Sequence, residues 1–137
     1  MEIIDTVYLI AYLNPDDPRH EEALEIINDL GMRRVSQAAL IELDLLMKSR
    51  GFSPDERRRT WSIMERIIPR DSIEVLIPLD FFTATMLYEE RGLDYFDALV
   101  AAQCIVRDAL PLTTDADILR AVEERKIPKF RGNEFDE

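Results

Sequence analysis

Four acidic residues in this chain stand where acids are costly. Asp5 ends the apolar pair Ile3-Ile4, and Glu42 interrupts the run Ala38-Ala39-Leu40-Ile41-Glu42-Leu43. Asp97 lies near the start of Asp94-Tyr95-Phe96-Asp97-Ala98-Leu99-Val100-Ala101-Ala102, which reads as a helix apolar nearly all round. Helices of that kind are buried. Asp115 follows Leu112-Thr113-Thr114. A carboxylate beside a core is unfavourable unless a charge of opposite sign meets it. Four carboxylates from four segments cannot all stay ionised close together without a cation. Their oxygens suit a hard divalent ion, Mg²⁺ or Mn²⁺, held by a few carboxylates and water. A metal so held polarises a phosphoryl oxygen and delivers hydroxide for in-line attack. The pattern therefore predicts one shared metal site made by Asp5, Glu42, Asp97 and Asp115, and hydrolysis of phosphodiester bonds.

The elements that must position these acids alternate in type. Residues 2–5 read as a short buried strand, and Thr6 to Leu13 as a helix stopped by Asn14-Pro15. Asp17-Pro18 is an N-cap followed by proline at the first helical position. That helix carries Ala23, Leu24, Ile26, Ile27 and Leu30 on one face, and Gly31 ends it. Arg33-Arg34-Val35 is a weak second strand. Ser36 caps the next helix, which runs to about Arg50, with Ala38, Ile41, Glu42, Leu45 and Leu46 as its apolar stripe. Asp44 falls off that stripe and can pair with Lys48. Ser53-Pro54-Asp55-Glu56 forms a capping box. Its helix turns Trp61, Met64, Ile67 and Ile68 inward and Arg57-Arg58-Arg59 mostly outward. Ile73 to Leu79 resembles a strand, and Asp80 caps a helix that runs to Gly92. Asp94 caps the apolar helix, which runs to about Asp108. Leu110 to Thr113 is a strand, Asp117 to Arg125 a last helix, and Ile127 to Glu137 an edge strand that frays.

Strands alternating with helices imply a parallel sheet covered on both faces, a three-layer α/β/α sandwich. Residues 1–130 read as a single domain and 131–137 as a frayed tail. In such sheets ligands gather beyond the carboxyl ends of the strands, where Asp5 and Asp115 fall.

Composition bounds the partners. Hydrophobic residues make up 47% and charged residues 33% of the 137, as in soluble globular domains. No apolar run approaches the roughly 20 residues a membrane span needs, and no secretory signal is readable. The single cysteine, Cys104, leaves no internal disulfide and fits a reducing cytoplasm. A net charge of −11, from 28 acids against 17 bases, argues against holding nucleic acid by bulk electrostatics. Local binding through a basic patch or bound divalent ions stays open. Arg57-Arg58-Arg59 can contact phosphates, although a solvated helix face explains them more simply. His20 reads as surface and Cys104 as a small core residue. Trp61 and Phe81-Phe82 read as core or dimer contacts. No P-loop, glycine-rich dinucleotide fingerprint or zinc-type spacing is present.

Taken in order, Ile3-Ile4-Asp5-Thr6, Glu42 after Ser36, Asp97-Ala98-Leu99-Val100-Ala101-Ala102 and Leu112-Thr113-Thr114-Asp115-Ala116-Asp117 resemble the PIN domain family. These pieces span residues 3–117. The resemblance implies a Rossmann-like sandwich and metal-dependent endonucleolytic cleavage of RNA, with water activated by one or two Mg²⁺ or Mn²⁺. It implies homodimers and, for toxin-type members, an antitoxin partner. It maps the acidic quartet onto Asp5, Glu42, Asp97 and Asp115, with Asp117 able to replace or supplement Asp115. Thr6 and Thr114 can hold the acids or a metal-bound water by their hydroxyls. Asp94 can be an accessory acid, though an N-cap explains it more simply. Two other readings use the same features. One is a receiver-like module that accepts a phosphoryl group on aspartate with Mg²⁺. The other is a PIN-like scaffold that binds RNA or protein without cutting.

Overall fold

The structure is a computed structural model, described here for residues 1–126. The edge strand expected from Ile127 and the tail 131–137 lie outside the described residues. Four short strands form one sheet: β1 (Glu2–Ile4), β2 (Arg34–Ser36), β3 (Ile73–Glu74) and β4 (Leu110–Leu112). All pairings are parallel and the order is β3-β2-β1-β4. The chain steps outward from β1 to β3, then returns to place β4 on the other side of β1. The crevice beyond β1 and β4 is thus the switch point where ligands bind in open parallel sheets.

Seven α-helices flank the sheet: α1 (Thr6–Leu13), α2 (His20–Asn28), α3 (Gln37–Ser49), α4 (Pro54–Ile67), α5 (Pro78–Arg91), α6 (Tyr95–Arg107) and α7 (Ala116–Lys126). Ile4 and Val35 point to a core with Leu9, Ile27, Leu43 and Met64, from α1 to α4. Ile3 points the other way, to Leu87, Leu99, Val100 and Ile118, from α5 to α7. β1 is therefore buried on both faces, as a central parallel strand must be. α6 is buried without interruption from Ala98 to Cys104, which is why its sequence lacks a polar face.

Several local expectations are corrected. α2 begins at His20, not Pro18, because Asp17 Oδ1 takes the Arg19 N–H at 2.8 Å and closes a turn ahead of the helix. It ends at Asn28, leaving Gly31, at φ 58°, in the turn before β2. The strand expected over residues 73–79 stops at Glu74. The Leu76 N–H goes instead to Gln37 Oε1 (2.8 Å) and the Ile77 N–H to Asp80 Oδ2 (2.9 Å). Asp80 thus closes the first turn of α5 from inside the helix rather than standing before it. On α3 the buried face is Ala39, Leu43 and Met47, while Ile41 and Leu45 are exposed. At 100° per residue these two lie across the helix from that face. Both stripes satisfy three-and-four spacing, so spacing alone did not choose between them.

Asp44 does not rely on Lys48. It accepts Arg57 Nη2 (2.8 Å) and Trp61 Nε1 (2.8 Å), tying α4 to α3, and these bonds hold its carboxyl below the usual range. Arg57 is therefore half-buried rather than outward. His20 is also half-buried, with Nδ1 2.7 Å from the Ala11 carbonyl. Phe81 and Phe82 are exposed, not core, and Cys104 is fully buried.

A polar chain crosses the otherwise apolar α6. Ser36 Oγ accepts the Ala38 N–H (3.1 Å), capping α3, and donates to Gln103 Oε1 (2.6 Å). Gln103 Nε2 donates to the Glu74 carbonyl (2.9 Å). Both side chains are fully buried. Ser36→Ala removes a cap worth about 1 kcal/mol and orphans a buried amide oxygen at about 1–3 kcal/mol more. A loss of about 2–4 kcal/mol is expected in urea unfolding, with an unchanged denaturant slope.

Candidate active site

The switch point gathers acids from the end of β1, from α3, from the first turn of α6 and from the turn after β4. Asp5 follows β1, and its N–H continues the sheet ladder to the Leu112 carbonyl (3.0 Å). Its side chain is buried and accepts Thr113 Oγ1 at 2.7 Å. The same Thr113 oxygen accepts the Asp115 N–H (3.0 Å), so one hydroxyl joins the end of β1 to the turn after β4. Asp115 Oδ1 accepts the N–H groups of Asp117 (2.8 Å) and Ile118 (3.1 Å), which caps α7. Glu42, half-buried on α3, accepts Thr6 Oγ1 at 2.5 Å. Asp94 Oδ1 accepts the Asp97 N–H (3.0 Å) and caps α6, so Asp97 sits in the first turn of that helix.

Electrostatics join these acids into one group. Burial pushes the Asp97 carboxyl up to about 8, and the charges of Asp94, Asp115 and Asp5 and a hydrogen bond to Asp94 push the same way. Burial raises Glu42, the Thr6 hydroxyl opposes it, and the charges of Asp5, Asp94 and Asp115 add to the rise. Burial also raises Asp5, against hydrogen bonds from Thr113 and Thr6, with a further push from Asp115. Three carboxyls from three parts of the chain are thus disfavoured as anions by burial and by one shared neighbour, Asp115. A cation among them would reverse the sign of each effect.

Not every residue singled out by sequence joins the group. Asp117 is exposed and stands 3.9 Å from Arg120 Nη1 on its own helix. Thr114 is exposed, and the hydroxyl that organises the turn belongs to Thr113. The signal for Thr113 lay in its spacing. A hydroxyl two residues before an N–H can close a local turn, and only Thr113 has that relation to Asp115. Of the three arginines, Arg57 binds Asp44, Arg58 pairs with Asp55, and Arg59 is exposed on α4.

Among the described residues, no three acids stand as a ready-made ligand set. The donors are nevertheless the right kind: carboxylate oxygens, mutually repelling and partly dry, which is what a hard divalent ion takes. The receiver-like alternative needs an acceptor aspartate directly after the third strand. β3 runs instead into Val75-Leu76-Ile77, and that reading is set aside.

Comparisons agree with the architecture. FitAcB from Neisseria gonorrhoeae is similar over 90% of this chain and 94% of its own, at 15% identity and a TM-score of 0.67. VapC20 of Mycobacterium tuberculosis, described as a sarcin–ricin loop cleaving toxin, is similar over 88% and 95%, at 20% identity and a TM-score of 0.66. VapBC2 from Rickettsia felis, bound to a DNA fragment from its promoter, is similar over 88% and 92%, at 18% identity and a TM-score of 0.63. At these identities the likeness is one of fold. No curated protein matches the chain in sequence. The PIN domain family model matches residues 3–124, from β1 through most of α7, and the chain belongs to the PIN domain family.

Proposed function

We propose that this chain is a metal-dependent endoribonuclease that hydrolyses RNA phosphodiester bonds at the acid group beyond β1 and β4. One observation carries the reading: Asp5, Glu42 and Asp97 are each raised by burial and by the charge of Asp115 at the switch point. Membership of the PIN domain family supports it. Asp5, Glu42, Asp97 and Asp115 would hold Mg²⁺ or Mn²⁺. Bound there, the ion supplies a polarised phosphoryl oxygen and an activated water. The chain's own residues do the rest. Thr113 orients Asp5 and the Asp115 turn, Thr6 orients Glu42, and Asp94 fixes the first turn of α6 beneath Asp97. Asp97 would keep a proton near neutral pH until a cation displaces it.

The reading extends to partners. Likeness to FitAcB, VapBC2 and a toxin described as cleaving the sarcin–ricin loop supports a toxin role with an antitoxin partner and an RNA substrate. The exposed Val75, Ile77, Leu79, Phe81 and Phe82 supply apolar surface for a homodimer. No helix among the described residues is long and apolar enough to cross a membrane, in keeping with work in the cytoplasm.

The test is Mn²⁺ calorimetry on the wild type, Asp5→Asn and Thr113→Val. The wild type should bind and Asp5→Asn should lose binding. Thr113→Val removes only the group that orients the acids, so its affinity should fall about 10- to 100-fold. Wild-type protein that binds no Mn²⁺, or three equal affinities, would refute the metal site and leave a scaffold that binds without cutting.

A further inference from the structure

One aromatic group beside the acids has no role in the core. Tyr95 is the first residue of α6 and lies between Asp94 and Asp97 in the chain. It is 53% exposed, although the aromatic residues beside it are half-buried against the core of α5, α6 and α7. Tyr88 of α5 stacks on its ring, with centroids 6.0 Å apart and planes 21° from parallel. Phe96 meets it nearly perpendicular, at 5.3 Å and 89°. Tyr95 is thus a ring braced from the protein side and open to solvent. The Tyr88 hydroxyl is buried and has no hydrogen-bond partner. It lies within electrostatic reach of Asp94, the cap of α6, which places the aromatic group at the same end of that helix as Asp97.

Geometry limits what such a ring can touch. Tyr95 and Asp97 are two positions apart, about 3 Å along the helix axis and about 200° around it. Side chains lean toward a helix's N-terminus, so Tyr95 projects past the end of α6 while Asp97 faces the switch point. A group on Tyr95 would therefore flank the reacting phosphate, not overlie it. Charge limits the ligand further. With a net charge of −11 and acids on either side, the surroundings repel a phosphate and give no reason to bind one there. A nucleobase is neutral, has two flat faces, and stacks on aromatic rings without regard to sequence.

We propose that Tyr95 is a stacking platform for an unpaired nucleobase flanking the cleavage site, and that Tyr88 and Phe96 hold it in place. This rests on the nuclease reading above and adds the feature that chain lacks: RNA affinity that owes nothing to positive charge. It also implies single-stranded or unstacked RNA as the substrate class, since a paired base offers no free face.

The test compares wild type, Tyr95→Phe and Tyr95→Leu, the last keeping apolar bulk without a ring. A short, mixed-sequence, fluorescein-labelled single-stranded RNA is titrated by anisotropy, with Ca²⁺ replacing Mn²⁺ to slow cleavage. Mn²⁺ affinity is measured separately by calorimetry. Tyr95→Phe should bind RNA as the wild type does. Tyr95→Leu should bind roughly 5- to 140-fold more weakly, the loss of one stacked base, with unchanged Mn²⁺ affinity. In Tyr95→Trp, RNA should quench fluorescence beyond any change in the wild type, whose single tryptophan is Trp61. Equal RNA affinity in wild type and Tyr95→Leu overturns the platform and leaves the nuclease reading standing. Loss of Mn²⁺ affinity in Tyr95→Leu also overturns it, since the ring would then be supporting the acids. A wild type that binds Mn²⁺ but no RNA refutes the nuclease reading itself, and the platform falls with it.

Discussion

Asp97→Asn is expected to do two opposite things: to remove metal-dependent RNA cleavage and to stabilise the metal-free protein at alkaline pH. Under the proposed function Asp97 would be a metal ligand, and its loss would remove transition-state stabilisation of several kcal/mol, so cleavage should fall about 10²- to 10⁴-fold. The stability effect follows from the raised carboxyl, at about 8 in the fold against 3.8 for an unperturbed aspartate. Below about pH 4 the carboxyl is protonated in both folded and unfolded chains and costs nothing. Between about 4 and 8 the unfolded chain releases the proton and the folded one keeps it, so stability falls as pH rises. Above about 8 the cost is complete. Asp97 is half-exposed, and solvent screening reduces the cost to about 1–3 kcal/mol. Asparagine carries no charge and escapes it. Melting curves from pH 4 to 9 in chelator should show the mutant's advantage growing with pH, and saturating Mn²⁺ should erase it by stabilising only the wild type. A constant gap across that range would mean that Asp97 does not face its acidic neighbours.

The largest pure stability loss should come from Arg107→Met. Asp80 is fully buried and its two oxygens accept Arg107 at 2.6 and 2.9 Å. Arg107 also holds Glu74 Oε2 (2.6 Å) and the Gln103 and Val75 carbonyls. These bonds raise the arginine further above its ordinary value, Asp80 first among them. Removing one partner of a buried pair leaves an uncompensated charge and costs about 3–5 kcal/mol. Asp80→Asn in the same chain removes that charge while keeping an oxygen for the Ile77 N–H. The double variant should regain most of the loss in urea unfolding. If Arg107→Met unfolds at the wild-type urea concentration, the pair is wet and the estimate is wrong.

The sequence displayed the order of elements and the four acids because both depend on local chemistry. An apolar run, a cap and a turn residue are each readable within a few positions. What stayed hidden depends on partners distant in the chain. Asp44 carries no mark that Arg57 and Trp61, 13 and 17 residues on, will claim it in place of Lys48. Ile41 and Leu45 satisfy helical spacing as well as Leu43 and Met47 do. Only the packing of α3 on the sheet decides which face is buried. Asp80 looked like an ordinary cap, yet its burial follows from an arginine 27 residues away. Gln103, a lone amide in an apolar helix, was passed over, although such a helix retains a buried amide only where a partner waits. The acids were found by type, but the hydroxyl that joins two of them, Thr113, was passed over for its neighbour Thr114.

The position of β1 between β2 and β4 bears on when the protein becomes whole during synthesis. Asp5 leaves the ribosome more than a hundred residues ahead of Thr113 and Asp115. Until then β1 has one open edge, Asp5 lacks the hydroxyl that seats it, and α6 has no α7 to pack against. The nascent chain thus carries an incomplete acid group while the residues between Asp5 and Thr113 are made. Contacts of such long range close late in folding. The acid group is therefore complete only once the turn after β4 has emerged and folded.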